Sequence, residues 1–170
     1  SPSYRKLNRK LHEKDQTYGS YSGKHAKQVL QFADLMLTRD ILDYGCGKRG
    51  LEKALGFAIK NYDPAIPGCD KTPEPSDIVV CTDVLEHIEM ASLGAVLDDL
   101  KRVTKRVVIL EISTVAANKA LPDGRNTHQI IQPPNWWLTQ LAHWFDFIWP
   151  PFFLNGVLKG VAVPKLDEKP

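Results

Sequence analysis

The 170-residue chain has few cysteines and no long apolar segment. Its three cysteines, Cys46, Cys69 and Cys81, are odd in number and lack the spacing of a metal site. This favours reduced thiols over a disulfide framework or a zinc module. No apolar run approaches the roughly 20 residues that span a bilayer, and no signal peptide is recognisable at the N-terminus. We therefore expect a cytoplasmic protein without a membrane partner.

The sequence also lacks repeats and low-complexity segments, and its 43% hydrophobic and 25% charged residues are typical of one globular domain. The formal net charge of +2 hides an uneven distribution. Between residues 4 and 27, two acids accompany seven basic residues, which are Arg5, Lys6, Arg9, Lys10, Lys14, Lys24 and Lys27. This segment is either a solvated basic helix or an arm that contacts a polyanion such as RNA.

Short apolar runs alternate with helical patterns along the chain. Strands are predicted at 41–44, 57–62, 78–81 and 107–112. Helices are predicted at 4–15, 26–37, 51–55, 93–100 and 134–144. Two last apolar runs, 147–154 and 157–163, meet at Asn155-Gly156, a preferred hairpin turn. This order predicts an α/β, Rossmann-like, doubly wound and mostly parallel sheet of about six strands, the last antiparallel, in a three-layer α/β/α sandwich.

The run Ile41-Leu42-Asp43-Tyr44-Gly45-Cys46-Gly47 predicts a buried strand that ends in a ligand-binding turn. Glycines let the backbone turn tightly and approach a ligand. Their amides suit a carboxylate, whereas Asp43 suits a cation, so the turn fits a zwitterion such as the amino-acid end of S-adenosylmethionine. Asp43, Asp63 and Asp83 each follow a predicted strand. We expect all three at the carboxyl edge of the sheet, where ligands bind in such folds.

Asp63 lies 18 positions after Gly45, at the end of the next predicted strand, where a carboxylate can accept both hydroxyls of a ribose. The spacing Gly45-x-Gly47-x-x-Gly50 also fits a dinucleotide fingerprint, which is weak evidence alone. Three features favour S-adenosylmethionine over a dinucleotide. Asp43 would repel a pyrophosphate, a closing hairpin is foreign to an ordinary dinucleotide fold, and the chain is too short for a separate substrate domain.

Together, the segment Asp43-Tyr44-Gly45-Cys46-Gly47, Asp63 and the run Cys81-Thr82-Asp83-Val84-Leu85-Glu86-His87-Ile88 resemble class I S-adenosylmethionine-dependent methyltransferases. The resemblance covers residues 24–163, which leaves 1–23 as a basic helix and lid segment and 164–170 as a C-terminal tail. It implies S-adenosylmethionine as cofactor. The residues that it places at the cofactor are Lys24, Asp43, Tyr44, Gly45, Cys46, Gly47, Asp63, Pro64, Thr82, Asp83 and Val84.

The chain departs from this family between Asp63 and Ile78, where only 14 residues stand in place of a helix and a strand. We expect both to be reduced to a loop and the sheet to have six strands. Arg49 also occupies a position where the family often has a third glycine, and this predicts a slightly reshaped cofactor loop.

The expected reaction is methyl transfer to an oxygen or nitrogen acceptor on a small molecule or a modified polymer unit. The leaving group is neutral, so the protein mainly positions the acceptor and excludes water. Where the acceptor must lose a proton, a general base is needed. The candidate catalytic residues are Glu86, His87 and His128, and this interpretation includes no metal.

Two alternatives remain open. Asp83, Glu86, His87 and His128 resemble the divalent-metal site of small-RNA 3′-end 2′-O-methyltransferases, in which a metal polarises the terminal diol. The basic N-terminal segment would then contact the RNA backbone. Alternatively, the chain is a binding module that has the cofactor fold without catalysis, and the short connection after Asp63 supports this hypothesis.

Overall fold

The computed structural model describes residues 1–166. The helices are α1 (Pro2–Lys14), α2 (Ala26–Leu35), α3 (Gly50–Leu55), α4 (Leu93–Val103) and α5 (Pro134–Leu141). The strands are β1 (Ile41–Tyr44), β2 (Lys60–Tyr62), β3 (Ser76–Thr82), β4 (Thr104–Ser113), β5 (Phe145–Leu154) and β6 (Val157–Pro164). Short 3₁₀ turns cover Tyr21–His25, Leu85–His87 and Met90–Ser92.

The six strands form one sheet in the order β2-β1-β3-β4-β6-β5. The first four are parallel, and β6 runs antiparallel to both β4 and β5. Because the carboxyl ends of β1 to β4 meet at one edge, the turns after these strands are brought together there. The predicted mostly parallel sheet with an antiparallel last strand is confirmed.

Helices cover both faces of the sheet. Val29 and Ala33 of α2 lie one turn apart and pack with Leu51 of α3 on one face. Leu97 of α4 and Trp137 of α5, both fully buried, pack on the opposite face. The predicted three-layer sandwich is therefore confirmed.

The connection from Asp63 to β3 contains no helix or strand, as the sequence predicted. It leaves β2 at the edge of the sheet. This strand is only three residues long and begins with the exposed Lys60, two features that protect a sheet edge from pairing. The strand predicted at 57–62 is shorter than expected because Gly56, with a φ of +76°, ends α3 and a bend follows it.

Helix α1 lies against the carboxyl edge of the sheet. Its buried residues Tyr4 and Leu11 pack with Leu121 from the long loop after β4. The Ser1 side chain accepts a hydrogen bond from the Tyr4 amide and caps the helix. Within residues 1–166, no helix has both the length and the apolar character needed to cross a membrane.

Candidate functional site

A cleft of about 590 Å³ opens at the carboxyl edge of the sheet. Its floor comes from the turns after β1, β2, β3 and β4, and α1 with the following Tyr18 forms its outer wall. Eleven of the predicted site residues line it. They are Lys24, Tyr44, Gly45, Gly47, Asp63, Pro64, Thr82, Asp83, Val84, His87 and His128.

The turn after β1 needs its glycines because neighbouring groups occupy the space of a side chain. Gly45 has a φ of +87°, and a Cβ there would overlap the Val84 side chain. Gly47 has a φ of +47°, and a Cβ there would overlap the carbonyl oxygen of Gly19. Glycine is therefore required at both positions for conformation and for packing.

The amides of this turn differ from the sequence prediction. The Gly45 and Cys46 amides donate to the Tyr62 carbonyl at 2.7 and 3.0 Å, and the Gly47 amide donates to Asp63 Oδ2 at 3.1 Å. They were expected to hold the carboxylate of a ligand. Because β2 ends beside β1, Tyr62 and Asp63 satisfy these donors within the protein.

Asp63 lies at the end of β2 and is 9% exposed to the cleft. Its Oδ1 accepts the Ala65 amide at 2.9 Å, in addition to the Gly47 bond at Oδ2. Two carboxylate oxygens offer about four acceptor positions, so two remain for hydroxyl groups of a ligand. Pro64 lies beside Asp63 in the cleft wall.

Asp43 and Cys46 do not line the cleft, although both were predicted to contact the cofactor. Both are about 1% exposed, and they lie behind the turn because their side chains point into the packed interior. Burial, followed by the Asp63 charge, raises the pKa of Asp43 to about 7. Asp43 Oδ2 has no hydrogen-bond partner among the described residues. Asp43 therefore lies beneath the turn, inside the protein, and does not face the cleft.

Lys24 lies in the cleft between two carboxylates. Its Nζ is 2.6 Å from Glu111 Oε1 and 3.3 Å from Asp83 Oδ2. Glu111 is 3% exposed and also pairs with Lys159 at 2.6 Å, while His25 Nε2 lies 3.6 Å away. Burial by itself would raise the pKa of Glu111, but the bonds from Lys159 and Lys24 lower it below its usual value.

Glu111 was missed from the sequence. It stands within an apolar β4 strand, next to Leu110 and Ile112, and a charge inside a buried strand was the available signal. The Glu111 carboxylate balances the positive charge of Lys24, which was predicted to bind the methionine carboxylate. That role of Lys24 stays a prediction.

Glu86, His87 and His128 come together on the other side of the cleft, where the two histidines line the wall and Glu86, a predicted catalytic residue, lies behind them without reaching the cleft. One ligand atom from each lies within 4.8 Å of the others, and the two imidazole rings meet edge to face at 4.7 Å. Glu86 is fully buried, with Oε1 accepting the Ser113 amide at 2.8 Å and Oε2 unpartnered within the described chain. Asp83, the fourth residue of the predicted metal set, is outside this group and pairs with Lys24.

Backbone carbonyls fix both imidazoles. His87 Nδ1 lies 2.9 Å from the Thr127 carbonyl, and His128 Nδ1 lies 2.6 Å from the Val115 carbonyl. A carbonyl only accepts, so each Nδ1 carries a proton, and in the neutral form of either ring the lone pair is on Nε2. Burial and the His128 ring lower the pKa of His87 to about 3, and His87 is therefore neutral at physiological pH.

The outer wall contains residues that the sequence analysis did not assign to the site. The Tyr4 hydroxyl donates to the His87 carbonyl, and the Tyr18 hydroxyl donates to Asn8 Oδ1 at 3.0 Å. The His12 ring packs on Tyr18 with centroids 4.6 Å apart. The periodicity of α1 indicated a helix, but nothing in the sequence indicated which partner it packs against.

Comparisons with known proteins identify the family. Residues 17–159 match the model of a family described as methyltransferase domain. The chain belongs to this methyltransferase family. The predicted resemblance to class I S-adenosylmethionine-dependent methyltransferases is thereby confirmed. No curated protein matches the methyltransferase chain at the sequence level.

Solved structures share the methyltransferase fold over nearly the whole chain. A DhpI complex with S-adenosylhomocysteine is 19% identical, with a TM-score of 0.62 over 94% of this chain and 95% of the other. The Burkholderia thailandensis 1,6-didemethyltoxoflavin-N1-methyltransferase, with bound 1,6-didemethyltoxoflavin and S-adenosylhomocysteine, is 16% identical, with a TM-score of 0.64 over 97% of this chain and 90% of the other. Magnesium protoporphyrin IX methyltransferase from Synechocystis PCC 6803 is 15% identical, with a TM-score of 0.58 over 84% and 83%.

Proposed function

We propose that the protein is an S-adenosylmethionine-dependent methyltransferase that acts on a hydroxyl or nitrogen acceptor of a small molecule or a modified polymer unit. The observation that carries the proposal is one cleft with two chemically different halves. The half at Asp63 and the glycine turn offers acceptors for a ribose. The half at His87 and His128 offers two imidazole lone pairs.

The cleft fits S-adenosylmethionine in its volume and in the groups that line it. A volume of about 590 Å³ is within the range of small-molecule sites. The two spare acceptor positions of Asp63 match the two ribose hydroxyls, and Pro64 offers an apolar surface for the adenine ring. Relatives that share the fold were solved with S-adenosylhomocysteine bound, which supports the same cofactor here.

When bound, S-adenosylmethionine supplies a methyl group on a positively charged sulfur. His128 is the general base in this proposal, because its Nδ1–H is held by Val115 and its Nε2 lone pair is free. The acceptor proton would move to Nε2 while the acceptor bonds to the methyl carbon, the carbon–sulfur bond breaks and its electron pair stays on the sulfur. His87 has too low a pKa for this role and instead accepts a hydrogen bond from the acceptor. Helix α1 excludes water from the cleft.

Calorimetry with S-adenosylhomocysteine tests cofactor use. We expect binding by the wild type and a loss of at least about tenfold in Asp63→Ala, since a charge-assisted hydrogen bond contributes about 1.5–3 kcal/mol. Asp146→Ala is the matched control, because this carboxylate is 65% exposed on β5. Absence of binding by the wild type contradicts the proposal, and binding of NAD instead would indicate a dinucleotide enzyme.

A second readout tests the base. With labelled S-adenosylmethionine and fractionated cell extract as acceptor source, His128→Ala is expected to lower the transfer rate by about 10²- to 10⁴-fold. Cofactor affinity is expected to be unchanged, which distinguishes a lost base from a lost site. If no fraction is methylated although the cofactor binds, the binding-module alternative gains support.

A metal-assisted version of the reaction is a second candidate, and the Glu86, His87 and His128 cluster favours it. In both imidazoles Nδ1 is held by a backbone carbonyl and Nε2 is left for a ligand, as is usual for histidines that bind a metal. Burial raises the pKa of Glu86 to about 8, so its unpartnered Oε2 would become a carboxylate ligand with release of a proton as the metal binds. These three side chains would hold Mg²⁺ or Mn²⁺, which would polarise a hydroxyl acceptor. An RNA acceptor on the basic helix α1 belongs to this version.

Titration with Mn²⁺ in the absence of acceptor tests this candidate through thermal unfolding. A rise in melting temperature that disappears in His128→Ala supports a metal at the cluster. The candidate is wrong if Mn²⁺ has no effect on unfolding and a chelator leaves methyl transfer unchanged. Neither outcome depends on the cofactor calorimetry.

A further inference from the structure

The outer half of β5 is apolar and exposed. The sequence Ile148-Trp149-Pro150-Pro151-Phe152-Phe153-Leu154 contains no polar side chain. Its five large non-proline side chains, at 148, 149, 152, 153 and 154, are between 50% and 60% exposed. Soluble proteins rarely expose so many large apolar groups side by side, and such patches mark an interaction surface. We call residues 148–154 the apolar ribbon.

Both faces of the apolar ribbon are exposed. Phe152 lies opposite Lys159 and Leu154 opposite Val157, on the face covered by α2 and α3. Phe153 lies opposite Leu158, on the face covered by α4 and α5. Side chains of directly paired residues share a face. Large apolar side chains are therefore exposed on both faces of β5, and on one face Trp149 and Phe152 border a groove of about 270 Å³ beside α2.

Pairing with a second copy through strand addition is disfavoured. The edge of β5 contains Pro150 and Pro151, which have no amide hydrogen to donate to another strand. The pairing of β5 with β6 is already irregular there, with register shifts between Trp149 and Phe152. The apolar surface is therefore open for side-chain burial but not for extension of the sheet.

The ribbon ends at the mouth of the cleft. Leu154 pairs with Val157, which lines the cleft, and the following Gly156 packs on Val115. Val115 is itself 51% exposed, and its carbonyl holds the ring of His128. The exposed apolar surface therefore continues from the ribbon to the rim beside the proposed catalytic base.

The same edge of the molecule carries uncompensated positive charge. Helix α1 forms the outer wall of the cleft, and its outward face is basic. Lys6, Lys10 and Lys14 are exposed near the exposed acid Glu13, and none of the three lysines forms an ion pair with a described residue, whereas Arg5 lines the cleft. The basic helix and the end of the apolar ribbon thus lie on either side of one opening.

We propose that this edge docks on an anionic lipid surface, with the apolar ribbon inserted among the acyl chains and α1 against the headgroups. Interfacial binding combines buried apolar area with attraction to anionic lipid, and the two features supply these separately. The cleft then faces the lipid, and an acceptor presented there reaches it without crossing bulk water. This inference goes beyond the proposed reaction and reverses the expectation of no membrane partner.

Flotation of the full chain with vesicles tests the proposal. We expect binding to phosphatidylcholine vesicles that contain one quarter phosphatidylglycerol, and much weaker binding to pure phosphatidylcholine. The double variant Phe152→Ser/Phe153→Ser is expected to bind at least about tenfold more weakly, because two large apolar rings no longer leave water for the acyl chains. Lys6→Ser/Lys10→Ser is expected to lose the preference for anionic vesicles but not the contribution of the ribbon.

Leu37→Asn is the matched control. Leu37 is 93% exposed and precedes β1, at the opposite edge of the sheet, and asparagine tolerates its φ of +51°. It is expected to bind vesicles like the wild type. Thermal unfolding followed by circular dichroism verifies that each variant is folded. If the double variant does not fold, Trp149→Ser replaces it as the ribbon variant.

Three results would overturn the proposal. They are equal binding by the ribbon variant and the wild type, a dimer that the ribbon variant disrupts without any vesicle binding, and binding of single-stranded RNA by α1 with no affinity for vesicles. Vesicle binding requires neither cofactor nor acceptor. A failure here is therefore separate from a failure of S-adenosylhomocysteine binding in calorimetry.

Discussion

Asp43→Asn should change how the stability of the protein depends on pH. The Asp43 carboxyl is 1% exposed, and burial with the adjacent Asp63 charge raises its pKa from 3.8 to about 7. Between these two values the folded chain keeps a proton that the unfolded chain has lost. Stability from this group is therefore full below pH 4, falls as the pH rises from 4 to 7, and is level above 7.

The magnitude follows from the two pKa values. Each pH unit within that interval costs about 1.4 kcal/mol, so the contribution of Asp43 declines by about 2 kcal/mol between pH 5 and pH 7. The asparagine is nearly the same size and does not titrate. We expect the free energy of unfolding of Asp43→Asn to exceed that of the wild type progressively as the pH rises.

Urea denaturation followed by circular dichroism at pH 5, 6, 7 and 8 measures this difference. Asp146→Asn provides the control, because its exposed carboxylate is expected to give a constant offset from the wild type. Asp63→Asn removes the second cause and is expected to flatten the wild-type slope in part. Parallel profiles of wild type and Asp43→Asn would refute the argument, since they would mean that Asp43 is ionised in the folded state at no cost.

Two other substitutions test the packing and charge of the cleft. Gly47→Ala should destabilise the fold by about 1–3 kcal/mol more than Gly56→Ala in urea denaturation, because both have positive φ but only the Gly47 Cβ overlaps a backbone atom. If the two variants lost equal amounts of stability, the Gly19 backbone would have to move away from the added Cβ at little cost in free energy. Glu111→Gln should lower stability by about 1–2 kcal/mol at pH 7 and low salt, a value reduced for the exposure of Lys24 and Lys159. Because the Glu111 pKa is lowered, this difference should disappear as the pH falls through it, and a pH-independent difference would contradict the charge argument.

Features of the fold that depend on local pattern were predictable from the sequence. The Asn155-Gly156 hairpin, with φ values of +50° and +78°, and the short β1 followed by Gly45 follow from residue type alone. Helix ends were less accurate, since α5 ends at Leu141 and not at 144. There the chain turns into β5, and the Trp144 Nε1 donates to Asp98 at 2.7 Å. This tertiary contact leaves no periodic signal in the sequence.

The site was predictable where it follows a strand end and not where it depends on packing between distant segments. Asp63, Asp83 and His87 follow strands and lie in the cleft as predicted. The burial of Asp43 behind the turn was not predictable, because the alternation of side chains along a four-residue strand does not tell which face of the strand opens to a ligand. Glu111 was hidden within an apolar strand, and only the folded chain brings Lys24 and Lys159 to it.

The connection after Asp63 contains no helix, but hydrogen bonds from other segments hold this loop in place beside Asp63. The Asp63 amide donates to the Cys69 carbonyl at 2.9 Å, which folds the loop back on itself. Arg49 then donates to the Cys69 sulfur at 3.2 and 3.3 Å, which ties the loop to α3. Arg9 of α1 donates to the Ala65 carbonyl at 3.2 Å from the other side. The wall beside Asp63 is thus held from both directions, by Arg49 at the start of α3 and by Arg9 of α1.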